Sequence, residues 1–289
     1  MRRLLALLFL SLISVRAFAE LPFDTVFKGR AQFDRLLTVA DQFKALPLGD
    51  RVATIGKALA GTPYKSYTLE IDDRIEAPSA NFTGLDCWTF FEVSLAFARM
   101  LEEPRENWTP QTFLKYIELD RYRGGKCDGS YLSRLHYLEE WLSDNHSRGL
   151  VKDLTRELGG VPGPHAAREM TVGWKGYRYM RNNMDLRLGI AEMEARLRKT
   201  PLYYIPKSRV PAIESKLRSG DIIGICSRDG RQIATAHVGL AYRTHDGVLH
   251  FLHASAPRNH GQVVLDQQLS GYLNKFSTHA GILVARPLK

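Results

Sequence analysis

The sequence predicts an α+β fold, with helices through its first two thirds and an antiparallel sheet in its last third. Three observations predict it. Apolar residues recur at helical spacing from Phe33 onward, alternating β-branched runs take over after Ile222, and Asp-Gly dipeptides separate those runs. The 289 residues are 44% hydrophobic and 25% charged, which excludes a disordered chain, a collagen-like fibre and a polytopic membrane protein. No repeat, low-complexity tract or long linker divides the chain, so one domain is expected over 20–289.

Met1 to Ala19 has the composition of an export signal. Arg2 and Arg3 precede an apolar run from Leu4 to Ile13 interrupted only by Ser11, and Ala17-Phe18-Ala19 is a small-x-small cleavage site. The run is too short to span a membrane, and no Cys follows it to carry a lipid. A mature chain of 20–289 is therefore expected outside the cytoplasm, in the periplasm, with no membrane span. The signal holds three arginines and no acid, so its removal lowers the formal net charge from +9 to +6. A basic exported protein is drawn to anionic envelope polymers. Nucleic acid is not an expected partner, because no Lys/Arg-dense run is present to track phosphates.

Two helices are expected between Phe33 and Ala60, divided near Pro47. The first carries Phe33, Leu36, Leu37, Ala40 and Phe43; the second carries Val52, Ile55 and Leu59. Pro63, Pro78 and Gly84 make 61–85 a loop. A helix follows from about Cys87 to about Met100, with Phe91, Leu95 and Ala98 as its apolar stripe. Residues 110–145 read as largely helical, broken near Gly124-Gly125. Six Gly and Pro residues make 160–183 a long irregular excursion, and Met184–Arg198 reads as an amphipathic helix. Strands are expected at Ile222–Cys226, Thr235–Tyr242, Val248–Ala254 and His279–Ala285, with hairpin turns at Asp229-Gly230 and Asp246-Gly247.

Three short stretches carry chemistry. In Gly84-Leu85-Asp86-Cys87-Trp88-Thr89-Phe90, Asp86 is a good N-cap and Cys87 falls in the first helical turn. Free N–H groups and the helix dipole favour a thiolate there, and with a cationic partner they lower a thiol pKa from about 8.5 into the range of about 3.5–7.5. In Ala236-His237-Val238-Gly239-Leu240, strand alternation puts His237 on one face with Thr235, Gly239 and Ala241, all small, which leaves room for a helix end to approach. In Leu249-His250-Phe251-Leu252-His253-Ala254-Ser255, His250 and His253 point to opposite faces, so only one serves a site. His253 lies across a turn from His237 and is suited to orienting its ring.

A lone Cys or strand His is more often a packed structural residue. Their order is what singles these out: the chain resembles the NlpC-type, papain-like cysteine peptidases and amidases of bacterial cell walls. Asp86-Cys87 looks like that family's nucleophile motif, and Ser219-Gly220-Asp221 like the turn entering its sheet. His237-Val238-Gly239 resembles its general-base strand, and His253-Ala254-Ser255 its third-residue strand. Gly61-Thr62-Pro63-Tyr64 is similar to the segment whose Tyr borders the oxyanion site. The chain departs from the family in lacking Ser-Gly after the Cys and Gly-Gly after the Tyr, and Tyr64 stands far from Cys87. Cys-x-Thr-Phe, with Arg134-Leu135-His136-Tyr137 and Trp141, looks like a distinct branch described as N-acetylmuramoyl-L-alanine amidase-like.

The resemblance covers most of the chain from Gly61 and implies a papain-like fold: an antiparallel sheet packed on a helix with Cys87 at its N-terminus, plus a helical insertion at about 105–200. It implies hydrolysis of an amide in peptidoglycan or muropeptide fragments, at the N-acetylmuramoyl–L-alanine bond. Cys87, His237 and His253 would be catalytic, and Tyr64, Asp86, Trp88, Arg134 and His136 would contact substrate. No cofactor or metal is called for. A stem-peptide endopeptidase and an inactive wall-binding module are the alternatives. A zinc site at Cys226, His237 and His253 lacks the usual ligand spacings, and Gly-x-Ser-x-Gly is absent. Trp174-Lys175-Gly176-Tyr177-Arg178-Tyr179 is expected to pack against the core rather than bind sugar. Of the three cysteines, Cys127 and Cys226 are the pair to test for a disulfide.

Overall fold

A computed structural model describes residues 21–288, apart from the side chain of Asp229. The expected export signal lies outside the described residues. The helices of the first part run Arg30–Ala40, Leu48–Ala58, Cys87–Met100 and Pro110–Arg121. Pro47 N-caps the second helix and separates it from the first, as its fixed φ and missing N–H dictate.

The Cys87–Met100 helix is the centre of the molecule. It is buried on all sides from Thr89 to Met100, not along one stripe as its spacing predicted. It lies between the Leu48–Ala58 and Pro110–Arg121 helices and the sheet. Burying it entirely requires its charges to be paired. Glu92 accepts from Arg121 at 2.8 Å, and Arg99 meets Asp120 at 3.1 Å while donating to the carbonyls of Leu150 and Leu288.

Among the described residues the main sheet has eight strands, all pairing antiparallel. Along it stand Val161–Gly163, Leu202–Pro206, His279–Pro287, Ile222–Asp229, Gln232–Arg243, Leu249–Ala254 and Val263–Gln268, and Val151–Asp153 also pairs with the His279–Pro287 strand. All four strands expected from the sequence are present, and Asp229-Gly230 closes the hairpin with Asp229 opposite Gln232. The final strand leaves the meander and returns beside Ile222–Asp229.

One face of the sheet, with Cys226, Val238, Leu240, Leu252 and Ala254, packs in the core that holds the Cys87 helix. The other face, with Ile225, Ala241 and Phe251, packs under Leu269 and Tyr272 of the short Leu269–Asn274 helix. The segment 122–137, read as part of a helical stretch, is an extended link with two 3₁₀ turns; helix resumes only at Leu138–Ser147. The 160–183 excursion and the Met184–Leu197 helix close on that link through Tyr131, Tyr137, Met170, Tyr179 and Ile190, a separate small core.

Candidate active site

The site begins at the N-terminus of the Cys87 helix. Asp86 caps it: its Oδ1 accepts from the Thr89 N–H at 2.8 Å, while the Thr89 hydroxyl accepts from the Asp86 N–H at 2.9 Å. This reciprocal box fixes the chain direction entering the helix and puts Cys87 at its first position. The thiol also receives the backbone N–H of Val238, so it lies against the peptide that joins His237 to Val238.

The expected acidic thiol is not found. Burial, and then the charge of Asp86, push Cys87 up to about 12, outweighing the N–H groups of Val238, Trp88 and Cys87 itself. His237 moves the other way: burial, with His253 beside it, holds its pKa well below the ordinary histidine value. At neutral pH the Cys87 thiol is protonated and the His237 imidazole neutral, because burial disfavours both charged forms.

His237 and His253 meet as predicted, Nε2 of the first 2.7 Å from Nδ1 of the second, their rings nearly perpendicular. Gly239 makes this possible. A Cβ there would lie 2.8 Å from both the His253 Cβ and the Phe251 ring, closer than packed carbons approach. His250 points away and binds the carbonyl of Asp266 through Nδ1 at 2.8 Å. The face assignment fails at one residue. Ile225 pairs with His237 and Cys226 with Thr235, so Ala236 is an extra, bulged residue. Thr235 therefore turns away from His237 and donates to Glu139 at 3.1 Å.

Tyr64 reaches the site through a parallel bridge with Leu85. Burial and the nearby Cys87 and Asp86 raise its pKa, so the phenol stays protonated. Tyr64, Asp86, Trp88, Arg134 and His136 all line one cavity of about 500 Å³, together with Tyr67, Tyr131 and Tyr177. Their availability differs. The Asp86 carboxylate is occupied by the cap. Arg134 is buried between Glu70 at 3.0 Å and Glu76 at 3.6 Å and stacks on Tyr131. His136 donates from Nε2 to the Tyr131 carbonyl at 2.8 Å, and burial beside Arg134 keeps its ring neutral. Arg134 and His136 sit in the extended link, not on a helix. The aromatic–basic stretch divides: Tyr179 is buried and stacks on Tyr131, as expected for packing, whereas Tyr177 faces the cavity against Tyr67.

No disulfide joins Cys127 to Cys226; all three cysteines are free thiols. Cys226 is fully buried beside Thr235 and Glu139, and Cys127 lies by the Glu76 carbonyl. Among the described residues no three His, Cys, Asp or Glu side chains converge in a way that could hold a metal. No described helix is long and apolar enough to cross a membrane.

Sequence reasoning missed Asp266. Its Oδ2 is 3.4 Å from the His253 Nε2 and its Oδ1 is 2.8 Å from the Lys275 Nζ. The strand that carries it, Val263–Gln268, reads VVLDQQ and ends in polar residues without the alternation of a half-buried strand. The one available signal was the chance for a fourth meander strand after Gly261.

Known structures share this architecture. An N-acetylmuramoyl-L-alanine amidase from Bacteroides uniformis is 28% identical with a TM-score of 0.73, over 84% of this chain and 99% of that one. A Bacteroides fragilis protein named as a candidate xylanase is 30% identical with a TM-score of 0.69, over 80% and 98%. A Legionella pneumophila protein at 21% identity and a TM-score of 0.67, over 90% and 95%, shares the fold. No curated protein matches the chain. The family model described as AmiA-like, N-acetylmuramoyl-L-alanine amidase-like, matches residues 54–282, and the chain belongs to that family.

Proposed function

We propose that the protein is a cysteine amidase of the NlpC-type, papain-like superfamily that cuts the N-acetylmuramoyl–L-alanine bond of peptidoglycan or its fragments, after export by the signal at 1–19. One observation carries this reading. The thiol at a helix N-terminus lies against the His237–Val238 peptide, while His237 is hydrogen-bonded to a second imidazole. That contact and that hydrogen bond support reading Cys87 as nucleophile, His237 as base and His253 as orienting group.

The two neutral partners imply that deprotonation accompanies attack. The Cys87 proton passes to Nδ1 of His237 as sulfur bonds to the lactyl carbonyl carbon, and the carbonyl electron pair moves onto oxygen. The Cys87 N–H and the Tyr64 hydroxyl are the donors for that oxyanion, a contribution of about 3–4 kcal/mol for such a donor in comparable sites. Collapse breaks the C–N bond, and His237 gives its proton to the departing amine of L-alanine. Water then attacks the thioester and gives a proton to His237, which returns it to the leaving sulfur, so acid and thiol are regenerated. His253 holds His237 throughout. The cavity beside Trp88 and Tyr177 offers aromatic faces for the sugar side of the substrate.

Purified 20–289 protein incubated with a defined muropeptide, with products read by mass spectrometry, tests this. Release of an intact stem peptide from the sugar is expected, and Cys87→Ala abolishes it. A shortened stem peptide would make the protein an endopeptidase instead. Wall binding without turnover would make it a binding module, and sugar-chain cleavage with intact amides would make it a glycosidase.

A further inference from the structure

We propose that Asp266 is a positioning residue of this site, fixing through His253 the tautomer in which His237 presents a basic nitrogen to Cys87. The inference rests on the cysteine-hydrolase reading above and assigns a role to a residue outside the motifs that suggested it.

A carboxylate only accepts hydrogen bonds. His253 must therefore carry its proton on Nε2, 3.4 Å from the Asp266 Oδ2. Its Nδ1 is then the acceptor of the 2.7 Å bond, so the donor there is Nε2–H of His237. That leaves Nδ1 of His237 as the basic nitrogen. Had the Asp266 position been a donor, both rings would be driven to the opposite tautomer and His237 would turn an N–H toward the thiol.

The surroundings keep Asp266 charged and aimed. Its side chain is 7% exposed, and against that burial the hydrogen bonds from His253, Lys275 and the Gln267 N–H at 2.7 Å hold its pKa far below the ordinary carboxylate value. The backbone there is bulged: Asp266 and Gln267 together stand opposite Phe251, between the pairs Leu252–Leu265 and His250–Gln268. His250 clamps this bulge by binding the Asp266 carbonyl. The two histidines of one strand thus meet the two ends of one residue. Bulges commonly re-aim side chains beside active sites.

The other charged or titratable groups around this relay come from every neighbouring element. Lys275 follows the Leu269–Asn274 helix and takes Oδ1, and His260 from the preceding loop approaches Oδ2 at 3.4 Å. Arg258 from that loop and His279 of the last strand both disfavour a proton on His237. Tyr272 packs on the His253 ring, its phenol neutral. Among these, Asp266 is the anion that favours the positive charge on His237 once it has taken the thiol proton.

The test uses the mature 20–289 protein and two readouts: turnover of the muropeptide, and the pH profile of iodoacetamide alkylation at Cys87 followed on its peptide by mass spectrometry. Asp266→Asn is expected to lower kcat about 10- to 100-fold, as loss of an outer partner of a catalytic group does, with KM within about twofold. It should also move the rising limb of alkylation to higher pH by half a unit or more. Lys275→Gln, which leaves Asp266 undiluted, should move that limb to lower pH. If Asp266→Asn does not fold, the Lys275 variant still gives the sign. Unchanged alkylation profiles in the folded variants, or a profile that moves the same way in both, would overturn the role. Full activity of Cys87→Ala, measured alongside, would overturn the cysteine reading itself and not merely this relay.

Discussion

Tyr64 and Leu85 pair through their backbones in a parallel bridge, which carries a tyrosine 23 residues upstream of Cys87 to the side of its thiol. The Tyr64 N–H donates to the Gly261 carbonyl at 2.8 Å and the Leu85 N–H to the Pro63 carbonyl at 3.0 Å. The ring is thus placed by main chain, and its hydroxyl can be removed without disturbing that frame. Tyr64→Phe is expected to lower kcat about 100- to 1,000-fold with KM little changed, the signature of a contact made in the transition state. Steady-state kinetics on the muropeptide check it, and an unchanged kcat would remove Tyr64 from the oxyanion site.

The Asp86 cap links stability to activity. Asp86→Ala removes the partner of the Thr89 N–H and should cost about 0.5–2 kcal/mol in urea unfolding. Activity should fall further than stability does, because Cys87 is the next residue. Asp86→Ser restores a cap and should recover most of the stability, separating capping from the carboxylate's charge.

Arg134 is buried with Glu70 and Glu76, and the Tyr122 hydroxyl donates to Glu76 at 2.6 Å. Arg134→Met leaves two buried carboxylates uncompensated and is expected to destabilise by about 3–5 kcal/mol. Arg134→Lys should not restore stability. A lysine cannot bind Glu70 and the Leu69 carbonyl together while lying flat on Tyr131. Denaturation midpoints of the two variants give the comparison, and a stable Arg134→Met would show that this network is not a structural one.

His136 makes stability pH-dependent with a definite sign. Its folded pKa lies well below the ordinary 6.5, so the unfolded chain binds a proton that the folded chain refuses. Its contribution is fully present above about pH 6.5 and is lost as the pH falls below that value, by up to about 1.4 kcal/mol per pH unit. His136→Gln removes the titration. The difference between wild-type and variant unfolding free energies should therefore slope between pH 6.5 and pH 5 and be flat above pH 7. A flat difference throughout would mean that the ring is not held neutral.

Much of the site was legible because its chemistry rests on local rules. Asp86 before Cys87 announces a capped helix, and the three-residue spacing of His250 and His253 assigns them to opposite faces whatever the rest of the chain does. Strands between Ile222 and His279 were marked by β-branched residues and Asp-Gly turns. What escaped was set by tertiary context. The Cys87 helix has no polar face, since Glu92 and Arg99 are buried against Arg121 and Asp120, so its apolar stripe understated its burial. The thiol is less acidic than a helix N-terminus suggests because desolvation wins. Arg134 and His136 fall in a stretch whose apolar pattern suggests helix, although they occupy an extended link. Asp266 lies on a strand whose solvent-facing glutamines mask its periodicity.

The extra residue at Ala236 governs how His237 is aimed and not which face it occupies. Upstream, Thr235 opposes Cys226; downstream, His237 opposes Ile225. Opposed residues share a face on both sides of the bulge, so deleting Ala236 would close the ladder into a regular alternation and leave every inner side chain inner. What the deletion would take away is the local bend and added twist beside His237. A chain shortened there should therefore keep its register while the imidazole swings off its target.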